Sequence, residues 1–317
     1  MAFVPAPGYH PAYCPLVPYV TSIPGGLRPG VIVYIRGTLA KSCTRFTVNF
    51  ATGQYDGCDI ALHMNPRYDG LDRVIFNNFL NSQWGEEEKK KGTPFKSGKQ
   101  FELVFQITKN NYQVTVDGKP YHEYAHHIPM ERINWLQVKG DIVLQAVSIM
   151  GYDIGQVIKG GLGALAPTPG GPLPPMNGPV WSNPTIPFTA HIPGGMIPKR
   201  TLVVKGYVPS GAKSFAINFK VATTGDIAFH INPRISKHAL VRNSFINGVW
   251  GEEETEVTQN PLKKEEHFDL SVRSGDKRFK VYINGHHIFN FELRFKNVQQ
   301  IDTFEIQGDV QVAYVYF

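Results

Sequence analysis

The chain repeats itself, and this internal repeat constrains its architecture more than any other feature of the sequence. Several motifs of the first half recur in the same order in the second half. They are Ile23–Gly26 with Ile192–Gly195, Arg45–Phe50 with Ser214–Phe219, Asp59–Arg67 with Asp226–Arg234, Trp84–Glu88 with Trp250–Glu254, Phe101–Leu103 with Phe268–Leu270, and Val116–Gly118 with Ile283–Gly285. Each copy has about 135 residues, which is the size of a whole domain and not of one solenoid unit. The 317-residue sequence therefore predicts two homologous domains.

The stretches outside the two copies have the composition of a tail and a linker. Residues 1–18 contain five prolines, which predicts a mobile tail. Residues 152–181 are rich in proline and glycine, and such a segment buries too little apolar surface to offset the entropy of ordering. We therefore predict a tail over residues 1–18, a first domain over 19–151, a linker over 152–181 and a second domain over 182–317.

Within each copy the apolar residues alternate with a period of two, which is typical of strands. Val31–Ile35, Phe101–Ile107 and Gln113–Val116 are predicted strands. Asp117-Gly118 and Asn284-Gly285 are predicted tight hairpin turns, because glycine accepts the positive φ that these turns require. Many short strands broken by turns predict an all-β fold, with an antiparallel β-sandwich in each domain.

A strand is also predicted over Ile60–Arg67, with an apolar face and a polar face. The apolar residues are Ile60, Leu62 and Met64, matched by Ile227, Phe229 and Ile231 in the second copy. The polar residues are His63, Asn65 and Arg67, matched by His230, Asn232 and Arg234. This polar row contributes little to a core but offers donors and acceptors about 7 Å apart. Pro66 and Pro233 cannot donate to a ladder, so we expect the strand to bend or to lose its pairing there.

Downstream of this strand each copy adds an amide, an indole and a carboxylate. They are Asn77, Trp84 and Glu87 in the first copy and Asn243, Trp250 and Glu253 in the second. Asn, Glu and Arg side chains form two directed hydrogen bonds each, which suits sugar hydroxyls. An indole face can stack on the apolar C–H side that galactose presents because of its axial 4-hydroxyl. Together these residues predict a carbohydrate site in each domain.

The order His-x-Asn-Pro-Arg, Val-x-x-Asn or a near equivalent, and Trp-Gly-x-Glu resembles the signature of the galectins, and it occurs twice. The resemblance covers nearly all of the chain outside the tail and the linker, and residues 1–9 are similar to the start of a gut-epithelial tandem-repeat galectin. It implies a concanavalin-like sandwich of two antiparallel sheets per domain, with the sugar on the concave face. The implied function is a bivalent β-galactoside-binding lectin that cross-links galactose-terminated glycoproteins and glycolipids in cell adhesion.

The resemblance also implies a role for each matched residue. His63, Asn65 and Arg67 would hold the galactose O4, Asn77 and Glu87 would hold O6, Trp84 would stack beneath the ring, and Arg67, Glu87 and Lys89 would reach the next sugar. The matched set in the second domain is His230, Asn232, Arg234, Asn243, Trp250 and Glu253. The family pattern has a cation two residues after the last Glu, which Lys89 provides and Thr255 does not. We therefore expect the domains to differ at the adjacent sugar and toward sulfated glycans.

Two patterns invite an enzymatic interpretation, and neither fits its chemistry. His122–His126 matches H-E-x-x-H, but zinc binding needs a helix there, since residues four apart in a strand lie about 13 Å apart. Glu86–Glu88 would need a second carboxyl across a scissile bond, and no second acid faces Glu87 in the motif strands. We predict a lectin with no catalytic activity, metal or cofactor. The alternative is an intracellular scaffold with a vestigial sugar site.

The composition bears on partners and location. The net charge is +6, but the lysines are scattered, which disfavours a nucleic-acid partner. Three cysteines make no disulfide framework and favour a reducing compartment. The N-terminal residues lack a signal-peptide pattern, and no apolar run is long enough to insert into a membrane. We expect cytoplasmic synthesis and secretion by a non-classical route to the cell surface, and self-association through the tail or linker stays open.

Overall fold

The computed structural model describes residues 3–151, 173–176, 178–257 and 260–317. Most of the predicted linker therefore lies outside the described residues. The described chain divides into two compact units, the first over residues 8–151 and the second over residues 3–7 together with the residues from 173 onward. In this part of the chain no helix has the length and apolar character that a membrane crossing requires.

Two antiparallel sheets build the first unit. Its strands are β1 (Tyr9–Tyr13), β2 (Tyr19–Ser22), β3 (Ile32–Leu39), β4 (Phe46–Ala51), β5 (Ile60–Arg67), β6 (Arg73–Leu80), β7 (Gln83–Trp84), β8 (Glu88–Lys91), β9 (Gln100–Ile107), β10 (Asn111–Val116), β11 (Lys119–Ala125), β12 (Trp135–Gly140) and β13 (Ile142–Met150), with a 3-10 helix at Met130–Arg132. One sheet has the order β1-β13-β3-β9-β10-β11. The other has the order β2-β12-β4-β5-β6-β7, and β8 pairs with β6.

The second unit repeats this topology. Its strands are β14 (Val180–Ser182), β15 (Phe188–His191), β16 (Thr201–Tyr207), β17 (Phe215–Lys220), β18 (Ile227–Arg234), β19 (Ala239–Ile246), β20 (Val249–Trp250), β21 (His267–Ser274), β22 (Arg278–Ile283), β23 (His286–Glu292), β24 (Thr303–Gly308) and β25 (Gln311–Tyr316), with 3-10 helices at Ile235–Lys237 and Val298–Gln300. The sheet orders are β14-β25-β16-β21-β22-β23 and β15-β24-β17-β18-β19-β20. The predicted all-β architecture of two antiparallel sandwiches is confirmed.

The core of each unit lies between its two sheets. In the first unit Phe50 of β4 meets Phe105 of β9 across the sandwich, with ring centroids 5.0 Å apart. In the second unit Phe219 of β17 meets Phe279 of β22 at 5.6 Å. Such aromatic pairs bury a large apolar area and fix the two sheets face to face. The opposite face of β5 and of β18 is therefore free to carry the polar rows.

The predicted strands and hairpins match the structure closely. β3, β9 and β10 cover the three predicted strands apart from Val31. Asp117 and Gly118 have φ of 49° and 72°, and Asn284 and Gly285 have φ of 51° and 78°. Positive φ at both central positions is the mark of the tight primed turn, so both hairpin predictions are confirmed.

The first residues of the chain differ from the expected mobile tail. Residues 9–13 form β1, which pairs with β13 from Tyr9↔Met150 to Tyr13↔Ala146. Proline is compatible with this position because β1 is an edge strand, where a missing N–H needs no partner. Further upstream, the Phe3 ring packs on the Tyr282 ring of the second unit at 5.1 Å. β14 likewise overlaps the end of the predicted linker.

Candidate functional site

Three neighbouring strands of the first unit bring the polar side chains together. His63 of β5 lies opposite Asn49 of β4 on one side and opposite Asn77 of β6 on the other. β7 adds Trp84, and the segment that follows it adds Glu87. The resulting open cleft has a volume of about 480 Å³ and is lined by Arg45, Thr47, His63, Asn65, Arg67, Ile75, Asn77, Trp84, Gly85 and Glu87. Six of the seven residues predicted for this site therefore line one cleft.

At the Asn-Pro pair, where the sequence predicted a bend or a loss of pairing, β5 keeps its backbone pairing on one side only. Pro66 stays in register with β6, but the β4–β5 ladder ends at Val48↔Met64 and the two strands meet again only at the isolated bridge Arg45↔Arg67. The predicted loss of pairing therefore occurs on the β4 side. Pro66 has no N–H to offer to β4. The Phe46 carbonyl on β4 instead accepts a hydrogen bond from Asn65 Nδ2 at 2.7 Å. In the second unit Asn232 Nδ2 donates to the Phe215 carbonyl at 2.6 Å. In both units the amide before the proline replaces the missing donor.

Asn65 also orients the guanidinium of the site. Its Oδ1 accepts from Arg67 Nε at 2.7 Å, and Arg67 Nη2 lies 3.4 Å from Glu87 Oε1. Lys89 Nζ pairs with the other oxygen of Glu87 at 3.1 Å. The hydrogen bond from Lys89, followed by the effects of Arg67, lowers the pKa of Glu87 against the opposing effect of burial. Glu87 is therefore an ionised acceptor at neutral pH, and Lys89 lies at the rim with 62% of its side chain exposed.

A relay of hydrogen bonds fixes the proton on the His63 ring. Gln137 Nε2 donates to the Gly53 carbonyl at 2.9 Å, so Gln137 Oε1 accepts from Asn49 Nδ2 at 3.4 Å. Asn49 Oδ1 is then the acceptor for His63 Nδ1 at 2.7 Å. The proton therefore sits on Nδ1, and Nε2 is left as an acceptor. Burial, followed by the charge of Arg67, lowers the pKa of His63 to about 4, which keeps the ring neutral.

Trp84 and Asn77 complete the first cleft. The Trp84 indole is 54% exposed, and it meets the His63 ring edge-on with centroids 4.8 Å apart. A flat apolar surface can therefore stack on the exposed indole. Asn77 is buried and donates from Nδ2 to the Gly85 carbonyl at 3.1 Å. A Cβ at Gly85 would lie 2.8 Å from Asn78 Oδ1, so only glycine permits this close approach.

The second unit builds a similar cleft of about 420 Å³, lined by His230, Arg234, Asn243, Trp250, Gly251 and Glu253. His230 Nδ1 lies 2.6 Å from Asn218 Oδ1, and Asn218 Nδ2 donates to Glu305 Oε1 at 2.7 Å. Because the Glu305 carboxylate can only accept, this relay also leaves Nε2 of His230 as the acceptor. Burial, followed by the charge of Arg234, lowers the pKa of His230. Trp250 is 48% exposed and meets the His230 ring at 4.9 Å.

The two clefts differ around the carboxylate. Arg234 forms a two-pronged ion pair with Glu253, with Nη1 3.2 Å from Oε2 and Nη2 bonded to Oε1, and its Nε donates to Asn232 Oδ1 at 3.0 Å. Thr255, which takes the place of Lys89, is exposed and carries no charge. The Arg67–Glu87 pair, in contrast, has one long contact. In the second domain the arginine alone holds the carboxylate, whereas in the first domain the arginine and Lys89 both pair with it.

Several contributors were not predicted from the sequence. Asn49 and Asn218 occupy the same position in the repeated segments Arg45–Phe50 and Ser214–Phe219, so their recurrence could have marked them as site residues. Their partners Gln137 and Glu305 lie on β12 and β24, more than 80 residues away along the chain, and gave none. Arg45 lines the first cleft, but its counterpart in the repeat is a serine. Arg294, beside the second cleft, lies in none of the repeated segments, so the repeat did not point to it.

Most of the H-E-x-x-H segment lies on β11, as the strand prediction implied, and His126 directly follows the last residue of that strand. His122 Nε2 lies 2.8 Å from Glu88 Oε2, whereas His126 Nε2 lies 3.0 Å from the Thr108 carbonyl. The two imidazoles are therefore engaged with different partners. Within the described ranges, no group of three or more His, Cys, Asp or Glu side chains is placed to hold a metal ion.

Comparisons with known proteins agree with this geometry. The family described as galactoside-binding lectin matches residues 18–149 and 187–317. The chain is 48% identical to galectin-4 of Homo sapiens over 324 residues, which cover 99% of each protein. It is 47% identical to galectin-6 of Mus musculus over the full length of both, and 34% identical to galectin-8 of Rattus norvegicus over 95% of each. The predicted resemblance to tandem-repeat galectins is confirmed.

Proposed function

This chain belongs to the galactoside-binding lectin family, and from that membership we propose that each of its two clefts binds a β-galactoside and that the intact chain cross-links galactose-terminated glycans. The observation that carries the proposal is the doubled geometry. In both clefts a neutral histidine acceptor, an oriented arginine–glutamate pair and an exposed indole line the same surface. Two separate sites on one chain make it bivalent.

The site chemistry matches the one feature that distinguishes galactose from glucose. The axial 4-hydroxyl both donates and accepts, so it can donate to His63 Nε2 and accept from Arg67. An equatorial hydroxyl would leave these half-buried polar groups without ligand partners, which costs affinity. Asn77 and Glu87 then hold the 6-hydroxyl, and Trp84 covers the C–H face. Because a disaccharide offers few atoms, we expect dissociation constants on the order of 0.1–1 mM for a single site.

The carboxylates of the clefts act as acceptors and not as proton donors. Glu87 is paired with Arg67 and Lys89, and both partners favour its ionised form. Glu253 is held by both prongs of Arg234. Glycoside hydrolysis needs a carboxylic acid that protonates the leaving oxygen. The proposal is therefore binding without turnover. Glycans on the cell surface are the expected ligands, and secretion by a non-classical route stays a prediction.

Retention on immobilised lactose, with elution by free lactose, tests the proposal. Trp84→Ala and Trp250→Ala should each weaken retention, and the double variant should pass through the column. Tyr55→Ala is the matched control, because it removes an aromatic side chain that is 66% exposed and lines neither cleft. Retention of the double variant at wild-type strength would count against sugar binding in these clefts.

A further inference from the structure

The second cleft lacks most of the strand that supports the carboxylate segment in the first. In the first unit β8 pairs with β6 over four residues, from Phe76↔Glu88 to Arg73↔Lys91. In the second unit the described residues after β20 make one bridge to β19, Arg242↔Glu254, with backbone hydrogen bonds of 2.8 and 2.9 Å. Glu253 therefore sits on a segment that the backbone ladder holds much less firmly.

Two arginines hold this segment from the side. They are Arg242 of β19, which donates to the Glu256 carbonyl at 2.9 Å and pairs with Glu254 at 3.6 Å, and Arg294. Arg294, two residues after β23, donates from Nη1 to Asn243 Oδ1 at 2.9 Å. Its Nη2 donates to the Glu252 carbonyl at 2.9 Å and to Glu254 Oε1 at 2.7 Å. The guanidinium lies over the Phe291 ring, 5.0 Å from its centroid, and the side chain is only 27% exposed. One rigid fork thus ties the buried amide of the cleft to the two residues that flank Glu253, through the Glu252 carbonyl and the Glu254 carboxylate.

The first domain has different residues at the positions of Arg294 and its neighbours. The hairpin registers Asn111↔Ala125 and Arg278↔Glu292 place His127 at the position of Arg294. The His127 ring packs on Tyr124 with centroids 5.0 Å apart, and the Tyr124 hydroxyl accepts from Asn78 Nδ2 at 3.0 Å. The second domain has Phe291 in place of Tyr124 and Ser244 in place of Asn78, so it lacks the hydrogen bond between them.

Gly251 is part of the arrangement. A Cβ at this position would lie 2.5 Å from Arg294 Nη1, whereas a Cβ at Gly85 would meet Asn78. The same Trp-Gly turn therefore admits a guanidinium in one domain and an amide in the other. The arginine therefore packs behind the second cleft, against Gly251 and the residue proposed to hold the 6-hydroxyl.

The contacts of Arg294 set the donor that faces the ligand. Asn243 Oδ1 accepts from the Ser244 N–H at 2.8 Å as well as from Arg294, and Asn243 Nδ2 donates to the Gly251 carbonyl at 2.9 Å. One N–H of this amide remains for a ligand. A cation on the amide oxygen prevents rotation of the amide and polarises that N–H, which strengthens it as a donor.

We propose that Arg294 is a positioning residue of the second domain, and that through Asn243 and Glu253 it makes binding there depend on the 6-hydroxyl of galactose more strongly than in the first domain. This inference rests on the proposed function, because it concerns the same galactoside. Arg294 does not line the cleft itself, so it acts through its neighbours.

The test uses the full chain with Trp84→Ala, in which only the second cleft is intact. Dissociation constants for lactose and for its derivative deoxygenated at the galactose C6 are measured by NMR titration, which suits weak binding. Arg294→Ala should weaken lactose binding about tenfold, the scale of one lost charge-assisted hydrogen bond, and should change binding of the deoxy derivative little. The affinity ratio between the two ligands should therefore collapse. Arg294→Lys, which keeps a cationic donor, should restore part of the ratio.

Arg278→Ala is the control, because it removes a nearby arginine whose pair with Glu292 spans 3.5 Å at the surface. It should leave both affinities unchanged. An unchanged affinity ratio in the Arg294 variants would overturn the proposal. If both affinities fall equally, the residue only maintains the fold, and if neither falls, it has no role in binding. If Arg294→Ala fails to fold, the ratio measured with Arg294→Lys decides. Binding of lactose by the Trp84→Ala chain separates this test from a failure of the proposed function.

Discussion

The protonation state of one histidine decides the chemistry of each cleft. His63 accepts through Nε2 only while Nδ1 carries the single proton, and the Asn49–Gln137 relay maintains that tautomer. In the second cleft a carboxylate, Glu305, ends the relay. The row of His, Asn and Arg could be predicted from alternation along one strand. The residues behind it could not, because they come from strands that only the folded sheet brings alongside.

The lowered pKa of His63 leads to a prediction about pH. In a Trp250→Ala chain, lactose affinity should stay constant from about pH 7.5 to 5.5 and fall as the pH approaches the folded-state value of about 4. Protonation would turn Nε2 into a donor and place a second cation beside Arg67. NMR titration of lactose at successive pH values measures this dependence. A loss of affinity centred near pH 6.5, the ordinary value for histidine, would contradict the proposed environment.

The same shift affects folding stability. Because the folded-state pKa lies below the unfolded-state value, the unfolded chain takes up this proton first as the pH falls. His63 should therefore lower the free energy of unfolding progressively between about pH 6.5 and 4, while sugar binding is still intact. Unfolding midpoints in denaturant measured alongside the titration distinguish the two effects.

Among the elements, β5 shows which structural details alternation along the sequence predicts and which it does not. Leu62 and Met64 are fully buried, as alternation predicts, but Ile60 is only partly buried because the register shifts between Ile60 and His63. The expected loss of pairing at Pro66 occurs only toward β4, where the Asn65 amide replaces the missing N–H, a contact that sequence rules for proline do not include. Local pattern predicts the strand, and cross-strand side chains decide its details.

The β8 region carries a prediction about specificity between the two domains. Lys89 pairs with Glu87 at the rim of the first cleft, and Thr255 has no charge to offer at the second. We expect the first domain to gain more than the second from an N-acetylglucosamine or sulfated extension. The expected gain is about two- to fivefold, since Lys89 is exposed and screened by salt.

Exchange of the two residues tests this prediction. Lys89→Thr in the Trp250→Ala chain and Thr255→Lys in the Trp84→Ala chain should move the preference from the first domain to the second. Titrations with lactose, N-acetyllactosamine and a sulfated galactoside measure it. If both variants keep the original ranking of these ligands, the position does not set the difference.

On the scale of the whole molecule, the repeat alone predicted two complete sandwiches, because a motif order that recurs over a domain length leaves few other architectures. The ends of the domains were less predictable. Composition suggested a mobile stretch at residues 9–13, whereas main-chain pairing with β13 places them in a sheet. Proline content reports local stiffness and lost donors, but it does not report a nearby strand edge.

Bivalence predicts a dependence on the connection between the domains. By flexible-chain scaling the predicted linker of about 30 residues spans roughly 30 Å, which lets two weak sites engage neighbouring glycans at high effective concentration. The intact chain should therefore agglutinate cells in a lactose-reversible manner. Cleavage at a protease site introduced within residues 152–172 should preserve lactose binding and strongly reduce agglutination. Equal agglutination by separated, monomeric halves would argue against the bivalent mechanism.

The number of lactose molecules bound per chain tests the central claim most directly. A titration followed by NMR reports separate saturation of signals from each domain, and equilibrium dialysis gives the stoichiometry. The proposed function predicts two sites in the wild-type chain, one in each single Trp84→Ala or Trp250→Ala variant, and none in the double variant. A wild-type chain that binds one lactose, or a double variant that still binds two, would contradict sugar binding in both clefts.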